Sequence, residues 1–331
     1  MENPVDAAWA GPLPSGIRTR VDARVTRSAR GTGEPGQEPD GPRKTEAAPA
    51  VRDDADAGSG AARTGRHANH GGVPLNGPRE PLPTRVEETP PLPQAYHDAL
   101  DEGLAALGLP LTTDARSAIG GHARLLLAWT EAINLTAIRD PAAVARSHVV
   151  DSLTAVSLLR DRGVDRFVDL GSGGGYPGIP IAAALPATRA LLLEPIRKKA
   201  SFLSVVAAAT GLAPTIEAAP VRIEALAADH RHRGRWPAVT ARAIAGLGEL
   251  IELAFPVLQP GGILVAWKRG EIELEWAAAQ RAVAALGGGS LERLPVEAPG
   301  LEGHCLVVAT MRGQAPAAYP RDPGVRKRRP W

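Results

Sequence analysis

Apolar residues keep no sustained period along this chain until about position 93, and from there two periods take turns. Tyr96, Ala99, Leu100, Leu104 and Leu107 recur at helical spacing and stop at Gly108, ahead of Leu109-Pro110. A second helix follows Thr113-Asp114, with Ile119, Ala123, Leu126, Leu127 and Trp129 on its apolar face. Asn134-Leu135-Thr136 breaks it, and Asp140-Pro141 opens a further helical stretch through His148, Val149 and Leu153.

From Arg166 onward short apolar runs alternate with helical ones, which signals a parallel sheet. Strands are predicted over 167–170, 190–193, 215–217, 238–241 and 263–267. The helices between and after them cover 179–184, 197–211, 221–228, 247–258 and 273–286, the fourth ending at Pro260-Gly261-Gly262. Two last strands, 291–296 and 305–311, read as a hairpin with a long loop. The expected fold class is therefore α/β: a Rossmann-like, mostly parallel sheet with an antiparallel closing strand, preceded by a helical section. The expected division is a disordered extension over 1–92, then one domain over 93–331. Within that domain, 93–160 forms a helical cap, 161–313 the core and 314–331 a basic tail.

Composition supports the first boundary. Positions 1–90 hold one aromatic, Trp9, and roughly a quarter of them are Pro or Gly. Such a segment buries too little surface to offset its ordering entropy. The net charge of +2 says little about partners, but the run Arg326-Lys327-Arg328-Arg329 suits phosphate contacts as well as a solvated terminus. Cys305 is the only cysteine, so no intrachain disulfide or thiolate metal cluster forms, and its apolar neighbours mark a buried thiol. No apolar run is long enough for a membrane span, and Met1-Glu2-Asn3-Pro4 does not begin a secretory signal. A cytoplasmic address is expected.

The chemistry lies in Phe167-Val168-Asp169-Leu170-Gly171-Ser172-Gly173-Gly174-Gly175-Tyr176-Pro177-Gly178, a strand running into a glycine turn. Glycines allow backbone angles closed to other residues, and in open α/β sheets ligands bind beyond the strand ends. A P-loop is excluded, because no Gly-Lys-Ser or Gly-Lys-Thr follows. A dinucleotide remains formally possible through Gly173-x-Gly175-x-x-Gly178-type spacing, although these glycines come late after the strand. S-adenosylmethionine fits Asp169-x-Gly171-x-Gly173-x-Gly175 better, with Glu194 at the end of the second strand placed to meet ribose hydroxyls. Asp169 either orients the cofactor or caps the turn, and Glu194 alone does not separate the two ligands.

The stretch 167–180, with its Gly-Tyr-Pro-Gly-Ile-Pro ending, resembles the bacterial small-subunit rRNA guanine-N7 methyltransferases, also called glucose-inhibited division protein B. Other segments are similar in order: Trp129 to Thr136 with Arg139-Asp140; His148-Val149-Val150-Asp151-Ser152; Glu194 with Lys198-Lys199; Val221-Arg222-Ile223-Glu224; Thr240-Ala241-Arg242-Ala243; and Tyr319-Pro320-Arg321. Tyr176 stands where the family usually has Phe. His304-Cys305 replaces its usual Arg-His, and Lys268-Arg269-Gly270 its Lys-Gly.

The resemblance implies a Rossmann-like S-adenosylmethionine-dependent methyltransferase acting on N7 of a guanine in 16S rRNA. Its pattern carries cofactor contacts onto Gly171, Tyr176, Ile223, Glu224 and Arg242, to which the residues themselves add Gly173, Gly175 and Glu194. Substrate RNA is expected at Asn134, Arg139, His148, Arg197, Lys198, Lys199 and Arg321. Neutral guanine N7 carries a lone pair and no proton, so no catalytic acid–base residue and no metal are expected. The expected partner is 16S rRNA or the small ribosomal subunit, with no membrane and a monomeric state. A dehydrogenase, or a non-catalytic RNA-binding protein with a vestigial cofactor fold, are the alternatives.

Overall fold

The computed structural model describes residues 81–331. The expected disordered extension over 1–80 lies outside the described residues. Positions 81–92 correct the rest of that expectation, because they pack on the domain. Leu82, Val86 and Leu92 lie against the core. Trp129 Nε1 donates to the Pro83 carbonyl at 2.7 Å, and Arg124 donates to the carbonyls of Thr89 and Pro90. Prolines hide the period here, and hydrogen bonds from a later helix hold the strap.

The helical section comprises α1 (Gln94–Ala106), α2 (Thr113–Thr130), α3 (Pro141–Val144), a π-helical turn (Ala145–Val150), α4 (Asp151–Leu153) and α5 (Val156–Asp161). Thr112 and Asp140 cap α2 and α3, accepting from the backbone N–H groups of Ala115 and Ala143. Then come β1 (Arg166–Leu170), α6 (Gly178–Ala184), β2 (Arg189–Leu193), α7 (Arg197–Ala209), β3 (Ile216–Ala219), α8 (Ile223–Ala228) and β4 (Trp236–Arg242). They are followed by α9 (Leu247–Ala254), β5 (Leu258–Arg269), α10 (Glu273–Ala285), β6 (Gly289–Pro295), β7 (His304–Met311) and α11 (Pro323–Arg328).

The strands form one sheet in the order β3-β2-β1-β4-β5-β7-β6. Strands β1 to β5 pair in parallel, and β7 runs antiparallel to both of its neighbours. The expected fold class therefore holds. Period-2 alternation divides each strand between two cores. Phe167, Leu192, Ile263, Val265 and Val308 face one, with α1, α2, α6 and α7. Val168, Leu170, Leu191, Leu264 and Val307 face the other, with α8, α9 and α10. Cys305 is buried in the second core.

Two element boundaries and the placement of two segments differ from expectation. Helix α9 stops at Ala254, and Pro260-Gly261-Gly262 lies inside β5 rather than before it. There the β4–β5 ladder slips between Trp236↔Leu258 and Ala238↔Ile263. The helical section packs on one face of the sheet, against α6 and α7, instead of roofing its carboxyl edge. The loop 134–136, the π turn, Asp151 of α4 and His122 of α2 reach that edge. The tail is not a free arm, since α11 folds back onto α8 and α9 through Arg321 and Arg326.

Candidate cofactor and RNA site

The glycine turn links β1 to α6, with Gly171, Gly173 and Gly175 at φ values of +64°, +54° and +91°. Around Gly175 the fit is tight: a Cβ there would lie 2.5 Å from Ile179 Cδ1 and 2.8 Å from His122 Nε2. Ser172 N–H donates to the Leu193 carbonyl at 3.0 Å, tying the turn to the end of β2. Glu194 completes the tie, accepting from Gly173 N–H at 3.1 Å and from Ile196 N–H at 2.8 Å. Each of its oxygens keeps a second lone pair for a ligand hydroxyl.

Asp169 lies beneath this turn and caps it. Its carboxylate accepts from Thr240 Oγ1 at 2.7 Å and from Gly178 N–H at 3.3 Å. Burial pushes the carboxyl up to about 6, partly offset by those hydrogen bonds. A fully buried Asp169 is closed to a ligand, so of its two expected roles the structure favours the cap.

Beyond the strand ends opens a cleft of 190 Å³. Leu170, Leu193, Pro195, Val221, Ile223 and Ile244 give it apolar walls, while Gly171, Glu224 and Arg326 also line it. Ile244 is 38% exposed, and the residue before it, Ala243, is held at φ 56°, the one non-glycine in the left-handed region among the described residues. A larger hollow of 320 Å³ lies between α9, α10 and the tail. It touches no strand end and no glycine of the turn, so the smaller cleft is the better site.

Beside the turn stands a column of rings. Tyr176 lies between His122 and His148, at centroid distances of 4.3 and 4.9 Å, with the Arg242 guanidinium 5.6 Å from its centroid. His122 Nε2 donates to the Gly174 carbonyl at 2.7 Å, and burial lowers this histidine to about 3. Arg242 donates to Asp151 Oδ2 at 3.0 Å, to the Ser147 carbonyl at 2.9 Å and to His148 Nδ1 at 3.2 Å. The same Nδ1 also lies 3.2 Å from the Ser147 carbonyl, and His148 Nε2 lies 2.7 Å from Thr136 Oγ1. Burial, then the Arg242 charge, lowers His148 to about 4. The second Asp151 oxygen meets His304 Nδ1 at 3.0 Å, and the Asp151 carbonyl accepts from Trp267 Nε1 at 2.7 Å.

The family described as rRNA small subunit methyltransferase G matches residues 116–297. A protein named Ribosomal RNA small subunit methyltransferase G from Dehalococcoides mccartyi is 37% identical over 229 residues, covering 69% of this chain and 97% of that protein. The chain belongs to the rRNA small subunit methyltransferase G family. A relative of that name from Roseiflexus castenholzii is 38% identical, over 62% of this chain and 87% of its own length. One from Sorangium cellulosum is 41% identical, over 59% and 79%.

The expected cofactor positions, from the family resemblance and from the residues themselves, fall in different places. Gly171, Ile223 and Glu224 line the cleft, while Gly173 and Glu194 brace the turn at its edge. Gly175 and Tyr176 are buried behind it among the rings, and Arg242 is taken up by Asp151 and His148. Among the RNA positions, Asn134, Arg139, Arg197 and Lys198 are exposed, and Lys199 is half-buried.

Two RNA positions are corrected. His148 stacks on Tyr176 and hydrogen-bonds Thr136 and Arg242, so it braces the site rather than facing RNA. Arg321 is bound bidentately to Glu252, whose side chain is fully buried, with contacts of 2.9 Å and 2.5 Å. Burial raises the Glu252 carboxyl, but hydrogen bonds from Arg321 and Trp331 outweigh it and leave it below the usual range.

The residues that sequence reasoning missed are Asp151 as the Arg242 partner, His122, and Ile244 on the cleft wall. Asp151 lies within the His148-Val149-Val150-Asp151-Ser152 segment, whose sequence does not show which cation it meets. His304, seen only as a departure from the family pattern, supplies the second contact to Asp151.

Proposed function

We propose that this chain transfers a methyl group from S-adenosylmethionine to N7 of a guanine in 16S rRNA, in the cytoplasm. The observation that carries the reading is the cleft at the ends of β1 to β4 in a chain of this family. Its donor set fits the cofactor: apolar walls suit a flat adenine, and Glu224 offers an acceptor for an exocyclic amine. The Gly171 backbone, with no Cβ, permits close approach. Glu194, already holding the turn, presents spare lone pairs at its edge for ribose hydroxyls.

The cofactor, when bound, supplies an electrophilic methyl on its sulfonium. The protein's task is then positioning, because guanine N7 attacks with an in-plane lone pair and needs no proton removed. The turn fixed by Asp169 and Glu194 sets the depth of the cleft. Ile244, on the strained backbone after Arg242, provides an apolar wall that keeps water away. Asn134 and Arg139 sit on the loop that lies against Gly174, where a Cβ would be 3.5 Å from the Leu135 carbonyl. Arg197 and Lys198, at the start of α7, are free to meet phosphates, as are Lys327, Arg328 and Arg329 on the tail.

Calorimetry tests the ligand directly. The purified chain binds S-adenosylmethionine and not NAD; the opposite preference would return the glycine turn to the dinucleotide reading.

A further inference from the structure

Arg326 is the one cation of the Arg326-Lys327-Arg328-Arg329 run that turns inward. It is 8% exposed, while the three residues after it are exposed. Every nitrogen of its guanidinium is engaged. Nη2 donates to Glu224 Oε1 at 2.6 Å, Nε to Glu249 Oε1 at 3.1 Å, and Nη1 to the Arg321 carbonyl at 2.6 Å. Arg326, Glu224 and Glu249 all line the cleft at the strand ends, together with Gly171 and Ile223. The segment that brings Arg326 there is fastened at a second point. Glu252 accepts from Arg321 and from Trp331 Nε1 at 2.7 Å, and the Arg321 guanidinium lies 4.9 Å from the Trp331 centroid.

We propose that Arg326 is a cofactor-site residue: from the C-terminal tail it closes one end of the cleft and holds the Glu224 carboxylate in the orientation that meets the adenine. The proposal rests on the S-adenosylmethionine reading above. Two carboxylates face this cleft, and unpaired they would repel each other and turn freely. A guanidinium cannot lose its proton at physiological pH and presents donors in a rigid fork, so it fixes both carboxylates at once. It takes Oε1 of Glu224 and leaves Oε2 for a donor from the ligand, such as an exocyclic amine. The tail thus has two sides. Arg326 serves the cofactor, and Lys327, Arg328 and Arg329 serve phosphate.

The test is calorimetric titration of S-adenosylmethionine, without RNA, into the full chain and four variants. The variants are R326Q, E224Q, the double variant R326Q/E224Q, and the outward set K327S/R328S/R329S. We expect R326Q to lose about tenfold in affinity, equivalent to about 1.4 kcal/mol. The double variant should lose no more than E224Q alone, because Arg326 acts through Glu224. The outward set should keep cofactor affinity and lose RNA affinity. Thermal melting of each variant separates a loosened tail from a changed site, since a merely structural role would give additive losses that track stability. Unchanged affinity in R326Q, additive losses in the double variant, or an equal loss in the outward set overturns the proposal while leaving the cofactor reading intact. A wild-type chain that binds no S-adenosylmethionine overturns that reading and the proposal together.

Discussion

Asp151 holds Arg242 across the carboxyl end of the sheet, Oδ2 to Nη1 at 3.0 Å, with side chains only 4% and 16% exposed. The pair joins the helical section to β4, beside the strained Ala243 and the cleft wall. Its other oxygen is taken by His304 on β7, so one carboxylate ties three elements together.

Replacing Asp151 by Asn leaves Arg242 charged and largely buried without its counter-ion. Breaking such a pair costs about 3 kcal/mol. We expect D151N to melt earlier than wild type and to bind S-adenosylmethionine more weakly. The drop should be larger than for H304Q, which leaves the Asp151–Arg242 contact in place. Parallel melting and calorimetric titrations check both; equal effects of the two variants would mean that the carboxylate is not the hub.

Asp169 predicts a pH signature. Its folded carboxyl lies near 6 against an unfolded value near 3.8, so between those values the folded state binds more protons than the unfolded one. The stability it contributes is present below about 3.8 and is lost as pH rises through about 6. The histidines act the other way: His122 and His148, depressed to about 3 and about 4, contribute stability above 6.5 that is lost as pH falls. Urea midpoints of wild type and D169N from pH 4 to 8 isolate the Asp169 part. Relative to D169N, the wild type should lose ground as pH rises from 4 to 7, by on the order of 2–3 kcal/mol. A constant gap would show that Asp169 has no raised value.

Gly175 is held by conformation and by space together. Ala at this position meets the φ of +91° as well as Ile179 Cδ1 and His122 Nε2. Left-handed strain costs about 1–2 kcal/mol, and overpacking adds about 1–3 kcal/mol. Gly211, at φ +75° with nothing within 4 Å of an added methyl, carries the strain alone. Chemical denaturation should therefore rank G175A well below G211A in stability; equal losses would mean that the close packing of His122 and Ile179 does not constrain this position.

Much of this architecture is legible in the residues. The mostly parallel sheet follows from alternating strand and helix periods, and the site from glycines placed directly after a strand. What escapes is contact between distant segments. Nothing local to Arg321 or Arg326 shows that Glu252, Glu224 and Glu249, some 70 to 100 positions earlier, neutralise them. A run of like charge reads as a solvated end until its partners are seen. The strap over 81–92 is hidden likewise, because its prolines erase the period while Trp129 and Arg124 supply its hydrogen bonds. His148 looks like a lone histidine in sequence, and only the fold sets it against Tyr176.

The central claim is methyl transfer to guanine N7, and one measurement addresses it most directly. The purified chain is incubated with methyl-labelled S-adenosylmethionine and small-subunit RNA, as naked 16S rRNA and as assembled subunits. The label is then mapped by chemical cleavage at N7-methylguanine. We expect label at a single guanine, cleavable at N7, in at least one of the two substrates. Label on another atom or base, or no transfer to either substrate by a chain that binds the cofactor, would contradict that claim.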